Sequence, residues 1–475
     1  MLFNSLVYSL FFLPITALLY SGLKRYNITA SKIFMVVVSA YFYTYITYDG
    51  IATLALSCLI SYCSYLAIRK SYRKKISMSV GVAVNVILLC MIKYNHFIPE
   101  GFSDQTDWLH TYGMPLAVSF FTFQQISFLV DAYNGKIDKA SPLDYLYYVL
   151  FFPKMIAGPI TRWRILMPQT GDNGLVKSSL VLIGISVLSI GLFKKVVLSD
   201  IFAHYANIGY SNTSALDFAS AWITTLSYTI QIYLDFSGYS DIAIGSSLLL
   251  GIRLPNNFNS PYKAINIRDF WNRWHISLST WLRDYIYIPM GGSRKGMPRT
   301  LVNVFITFII SGAWHGSEVN FIIWGAMHGI GTIVNILWGK SGINMSPIIG
   351  WAITFIFINF SWIPFRADSI QSAYEITKAM LSPSYDSIIS VLMIEKYDSW
   401  HIIKSIFTPN KINGYSMIYV AFMLLFVFSI KNTSEIISLM SIGLVRLTLI
   451  SIAASISIIF MFGGVSKATF IYAAF

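Results

Sequence analysis

Residues 311–329 read SGAWHGSEVNFIIWGAMHG and place His315 and His328 within one of the most apolar parts of the chain. An imidazole at membrane depth is costly unless it meets protein partners or a water-filled cavity, so its presence there points first to function. Gly312 and Gly316 bracket Trp314 and His315, while Gly325 and Gly329 accompany Trp324 and His328. Glycines so placed let backbone approach backbone closely, as packed membrane helices require.

The surrounding chain has the same character. Of its 475 residues, 55% are hydrophobic and 12% charged, and the mean hydropathy is +0.61; an ordinary soluble domain carries roughly 25% charged residues. Apolar segments recur near residues 3–22, 33–48, 51–68, 77–95, 114–133, 177–198, 216–236, 301–311, 318–338, 347–365, 416–430 and 442–463. They predict an all-α polytopic membrane protein of ~11–13 transmembrane and re-entrant helices. The first segment is followed by Lys24 and Arg25 with no basic region ahead of it, which favours an anchor over a cleaved signal peptide. No fixed-period repeat or long linker interrupts the series, so residues 1–475 are expected to form a single embedded domain.

The net charge of +13 does not point to nucleic acid, because the basic residues are dispersed between apolar segments instead of covering one face. It reads as topology. Lys24, Arg25 and Lys32 follow the first segment, Asp49 is alone in the next turn, and Arg69, Lys70, Arg73, Lys74 and Lys75 fill the loop after that. Glu100, Asp104 and Asp107 then appear without a basic residue. This alternation puts the N-terminus outside and the RKSYRKK loop inside. Cys58, Cys63 and Cys90 fall in apolar stretches and read as small core residues, with neither a disulfide framework nor a metal set.

Residues 143–170 are the strongest candidate for a re-entrant piece: Pro153, Gly158 and Pro159 interrupt the helix, and Lys154 and Arg162 sit among apolar neighbours. Broken backbone at depth is tolerated only against protein or water. Residues 366–412 are more polar, with Glu395, Lys396, Asp398 and Lys404 between short apolar groups, and read as interfacial helices.

Chemistry concentrates between Gln231 and Gly292. Asp235 and Asp241 flank a Ser-Gly-Tyr-Ser turn signal, and Pro255, Asn256, Asn257, Asn259 and Pro261 suggest an irregular loop. Trp271, Trp274, Leu278, Trp281 and Tyr285 fall at offsets 0, 3, 7, 10 and 14, a helical stripe, with His275, Ser279 and Arg283 on a neighbouring polar face. An amphipathic surface helix and a site-lining helix both account for that pattern. His315 and His328 likewise read either as packing residues or as reactive ones. A neutral imidazole has one donor, one acceptor and a pKa near neutrality, which suits a general base acting on a hydroxyl. No His, Cys or carboxylate spacing gives a usual metal-ligand set.

These stretches carry a resemblance. MPLAVSFFTFQQISFLVDAYNG (114–135), FFPKMIAGPITR (151–162), GLFKKVVLSD (191–200), DFSGYSDIAIG (235–245), WNRWHISLSTWLRDYIYIPMGG (271–292), GAWHG (312–316) and WIPFRA (362–367) resemble the membrane-bound O-acyltransferase (MBOAT) superfamily, and within it the bacterial alginate O-acetyltransferase branch. The resemblance implies a bundle around a central funnel or tunnel, with a catalytic core over about residues 114–367 and C-terminal helices over about 368–475. It maps the family's near-invariant histidine onto His315 and the second histidine of its active region onto His275. It further implies acetyl-CoA as a cytoplasmic donor, no metal, and a periplasmic serine-hydrolase-like acetyltransferase as partner in acetylating an exported polysaccharide. On this reading His315 is the base and His275 orients or polarises a reactant. Asp241, Asn256, Trp274, Ser279, Arg283, Trp314 and His328 are the weaker candidates for shaping the tunnel or holding CoA. Two rivals remain: D-alanyl transfer from a carrier protein to teichoic acid, and a glycan or lipid transporter.

Overall fold

The computed structural model describes residues 3–48, 50–94, 117–172, 174, 176–392, 412–439, 443–463 and 471. Asp49, the acidic residues Glu100, Asp104 and Asp107, and Glu395, Lys396, Asp398 and Lys404 lie outside the described residues. The described residues form helices joined by turns, with no strand among them. The opening series is α1 (Val7–Tyr26), α2 (Ile28–Ile46), α3 (Gly50–Lys70) and α4 (Lys74–Lys93), followed by the shorter α5 (Val118–Tyr133) and α6 (Pro142–Leu150). Next come α7 (Ser178–Tyr210), α8 (Phe218–Leu249), α9 (Ile267–Arg273) and α10 (Ile276–Leu282). The series continues with α11 (Met297–His315), α12 (Val319–Ser341), α13 (Pro347–Arg366), α14 (Ile370–Met380), α15 (Gly414–Ser429) and α16 (Leu444–Phe462). Eight described helices, α1 to α4, α7 and α11 to α13, are long and apolar enough to cross a membrane.

Residue placement on these helices inverts the soluble pattern. On α3 the buried face carries Gly50, Thr53, Ser57, Cys58 and Ser61 beside Leu54, Tyr65 and Ile68, whereas Leu56, Leu59 and Leu66 are exposed. Small and polar residues pack helix against helix, and the leucines are left to meet lipid. Only Cys58 is a core residue as expected; Cys63 and Cys90 are exposed. Their apolar surroundings in the chain record a lipid-compatible face, which composition does not distinguish from a protein core.

The chain divides into two compact units, Met1–Ser189 with Tyr239–Asn256, and Ile190–Gly238 with Asn257–Phe475. In the first, α6 begins where the Ser141 hydroxyl accepts the Asp144 N–H, and the Asp144 carboxylate takes the Lys32 ammonium at 2.6 Å. The expected interruption follows: α6 ends at Leu150, residues 156–162 leave the helix, and every residue from 147 to 163 is buried. The broken backbone therefore lies against protein. Lys154, fully buried, donates to Gln124 Oε1 at 2.5 Å, and Tyr148 donates to the Thr161 carbonyl at 3.2 Å.

The second unit contains α9 to α14. Here α11 and α12 cross with almost no space between their backbones: a Cβ on Gly312 would lie 2.3 Å from the Phe321 carbonyl oxygen, and one on Gly325 would lie 2.4 Å from that of Phe308. Gly312→Ala or Gly325→Ala must push the helices apart, and overpacking of this kind costs ~1–3 kcal/mol. A lower thermal midpoint in detergent is the expected readout; an unchanged midpoint would show that the crossing yields freely.

Candidate active site

His315 is the last residue of α11, and Gly316 leaves the helix in an extended conformation. Its ring is 2% exposed and enclosed by protein, with Trp314, Trp324 and Phe365 around it at centroid distances of 4.6, 4.9 and 5.1 Å. All three pack edge to face, which holds the imidazole plane from several sides. Ser311, fully buried, lies one turn earlier on the same helix face.

His275 is held differently. The sequence pattern predicts one helix through residues 271–285, but the structure ends α9 at Arg273, extends Trp274, and puts His275 in the left-handed region at φ 40°, ψ 54° before α10 begins. Left-handed backbone is uncommon outside glycine and costs energy that the surroundings must supply. Asn257 supplies part of it: its carbonyl accepts the Ile276 N–H at 3.0 Å and its Oδ1 accepts that of Ser277 at 3.4 Å. The break turns His275 inward to 1% exposure, edge-on to Phe236 at 4.7 Å and 6.4 Å from the Trp314 ring. His275 lies outside the eight candidate spans, in the break between α9 and α10, and burial pushes its imidazole down to about 3, so the ring is neutral at physiological pH.

His328, on α12, is fully buried, with Trp324 at 4.7 Å and Trp271 at 5.1 Å. The rings thus run in contact from His275 through Trp314 to His315, and through Trp324 to His328. Trp274 is buried against Phe258 and Trp362, both at 5.0 Å. Ser279 donates to the Trp274 carbonyl at 3.3 Å and helps close the break. Arg283 points outward, 58% exposed, and pairs with Asp284 at 2.8 Å. Asp241 and Asn256 belong to the first compact unit, where Asp241 is buried on α8 and Asn256 is exposed. Asn257, Trp324, Trp362 and Phe236 were not legible as site residues, because each meets a histidine or its backbone through the fold and not through spacing.

The cluster has three buried imidazoles and an apolar aromatic lining, which is equipment suited to proton transfer away from bulk water. Comparison with known proteins now decides the family: the profile of the membrane-bound O-acyltransferase family, MBOAT, matches residues 35–367. The chain belongs to the MBOAT family. Among its relatives, the peptidoglycan O-acetyltransferase of Helicobacter pylori is 35% identical over 99% of this chain and 97% of its own. The probable alginate O-acetylase AlgI of Pseudomonas aeruginosa is 34% identical over 80% of this chain and 75% of its own. The teichoic acid D-alanyltransferase of Bacillus subtilis is 30% identical over 53% of this chain and 68% of its own. This MBOAT protein is therefore an acyltransferase with multiple membrane helices. His275→Ala is expected to reduce its turnover clearly but by less than loss of His315, the residue the sequence resemblance marks as the base; turnover at the wild-type level would make His275 a packing residue.

Proposed function

We propose that this acyltransferase takes an acetyl group from cytoplasmic acetyl-CoA and passes it across the inner membrane for O-acetylation of an exported polysaccharide. A peptidoglycan-like glycan is the first acceptor to test. The observation that carries the choice is the match to a peptidoglycan O-acetyltransferase along nearly the whole of both chains, including the C-terminal helices. In the reaction, an acceptor hydroxyl oxygen bonds to the thioester carbon while its proton passes to His315. Collapse of the tetrahedral adduct breaks the carbon–sulfur bond, and the departing thiolate takes the proton back, leaving an ester and CoA. Neutral His275 orients or polarises one reactant. Exposed Arg283, Arg294, Lys295 and Arg299 attract the CoA polyanion from the cytoplasm, with the N-terminus outside. A periplasmic serine-hydrolase-like acetyltransferase receives the acetyl group.

The test is purified protein in proteoliposomes with labelled acetyl-CoA. Loss of thioester and appearance of acetyl ester on an acceptor are expected. An intact thioester together with D-alanyl transfer from a charged carrier protein would favour the teichoic acid relatives instead; glycan movement without thioester loss would favour transport.

A further inference from the structure

Polar atoms accumulate around His328 that the chemistry above does not use. Neither ring nitrogen of His328 has a hydrogen-bond partner among the described residues, and the same is true of the indole N–H groups of Trp271, Trp324 and Trp362, all buried. The four side chains form one cluster: the indoles of Trp324, Trp271 and Trp362 lie 4.7, 5.1 and 6.4 Å from the His328 ring. Buried indole and imidazole groups ordinarily find partners, so several together without one call for an explanation. Three indoles and a neutral imidazole offer four N–H donors against a single lone pair. That balance suits an acceptor-rich group, a carbonyl oxygen or oxyanion, and not a cation.

Trp324 is the member of this cluster whose ring also touches His315, at 4.9 Å and 84°. We propose that the Trp324 indole N–H donates to the carbonyl oxygen of the acyl group in transfer, and so acts as a catalytic residue that stabilises the oxyanion. The inference rests on reading His315 as the base. When the hydroxyl oxygen bonds to the thioester carbon and its proton moves to His315, the C=O π electrons pass to oxygen, where the indole N–H meets the new charge. When the carbon–sulfur bond breaks, those electrons restore the carbonyl and the thiolate recovers the proton. Trp271, Trp362 and His328 add further donors beside it.

Two replacements test the donor: Trp324→Phe, and Trp324 exchanged for 3-benzothienylalanine, which keeps the bicyclic shape and puts sulfur where the N–H was. Removing an oxyanion donor typically costs ~10²–10³-fold in kcat. Both variants should show that fall with KM for the acyl donor nearly unchanged, in protein that elutes as a single folded species. The sulfur analogue decides the matter if Trp324→Phe is unstable. His315→Ala is run beside them. An active His315→Ala protein overturns the base assignment and this inference with it. An inactive His315→Ala protein beside Trp324 variants of wild-type kcat overturns this inference alone.

Discussion

Replacing His315 with alanine is expected to lower acyl transfer by ~10²–10⁴-fold while the protein still inserts and folds, the range that loss of a general base produces. The expectation follows from where the ring sits. It ends α11 at the one place where that helix gives way to extended chain, and three aromatic edges fix its plane. A freely rotating imidazole would spend little time aligned with an attacking hydroxyl; this one is pre-oriented. Alanine also empties space among Trp314, Trp324 and Phe365, so His315→Gln and His315→Phe are needed to separate chemistry from packing. All three should be inactive if proton transfer is the role, and CoA release with a thiol reagent reads it directly. If His315→Phe is folded and retains full turnover, the base lies elsewhere.

Much of the architecture was legible because a bilayer enforces simple rules. Spanning helices announce themselves by length and apolar content, and the helix interruption by Pro153, Gly158 and Pro159, since helix breakers inside an apolar run leave few alternatives. Gly312 and Gly325 were legible in kind, as close-approach residues, although which backbone each meets is visible only in the fold. The break at Trp274–His275 was not. Side-chain periodicity through Trp271, Trp274 and Leu278 is helical, and nothing in it encodes a single left-handed residue held by Asn257. The aromatic neighbours of the histidines were hidden too: WIPFRA marks the stretch, but nothing in its spacing says that Trp362 meets His328 and Phe365 meets His315.

The stretches GLFKKVVLSD and DFSGYSDIAIG carry part of the resemblance, and the second unit shows a contact between them. Lys195, on α7, meets Asp235, on α8, at 2.5 Å and Asp200 at 3.9 Å, with side-chain exposures of 1%, 1% and 5%. Asp235 also accepts the Ile471 N–H at 2.9 Å, which ties the end of the chain to this ion cluster. Neither partner is predictable from spacing, as forty residues separate them. Charges at this depth are expensive and persist only in company, so removing the shared cation should cost more than removing one of its two carboxylates. Lys195→Met strands both carboxylates and is expected to cost ~3–5 kcal/mol, seen as a large drop in thermal midpoint and in recovered protein, whereas Asp235→Leu leaves Lys195 paired with Asp200 and should lower the midpoint less. The double variant Lys195→Met/Asp235→Leu replaces that pair with apolar volume but leaves buried Asp200 without its cation, and so should regain only part of the Lys195→Met loss, with the Ile471 N–H as a second residual defect. If the single variants match wild type in thermal midpoint, the cluster contributes nothing to holding α7 against α8. If the double variant is as stable as wild type yet inactive, the charges serve the reaction as well as the fold, through Phe236, which follows Asp235 directly and packs edge-on against His275.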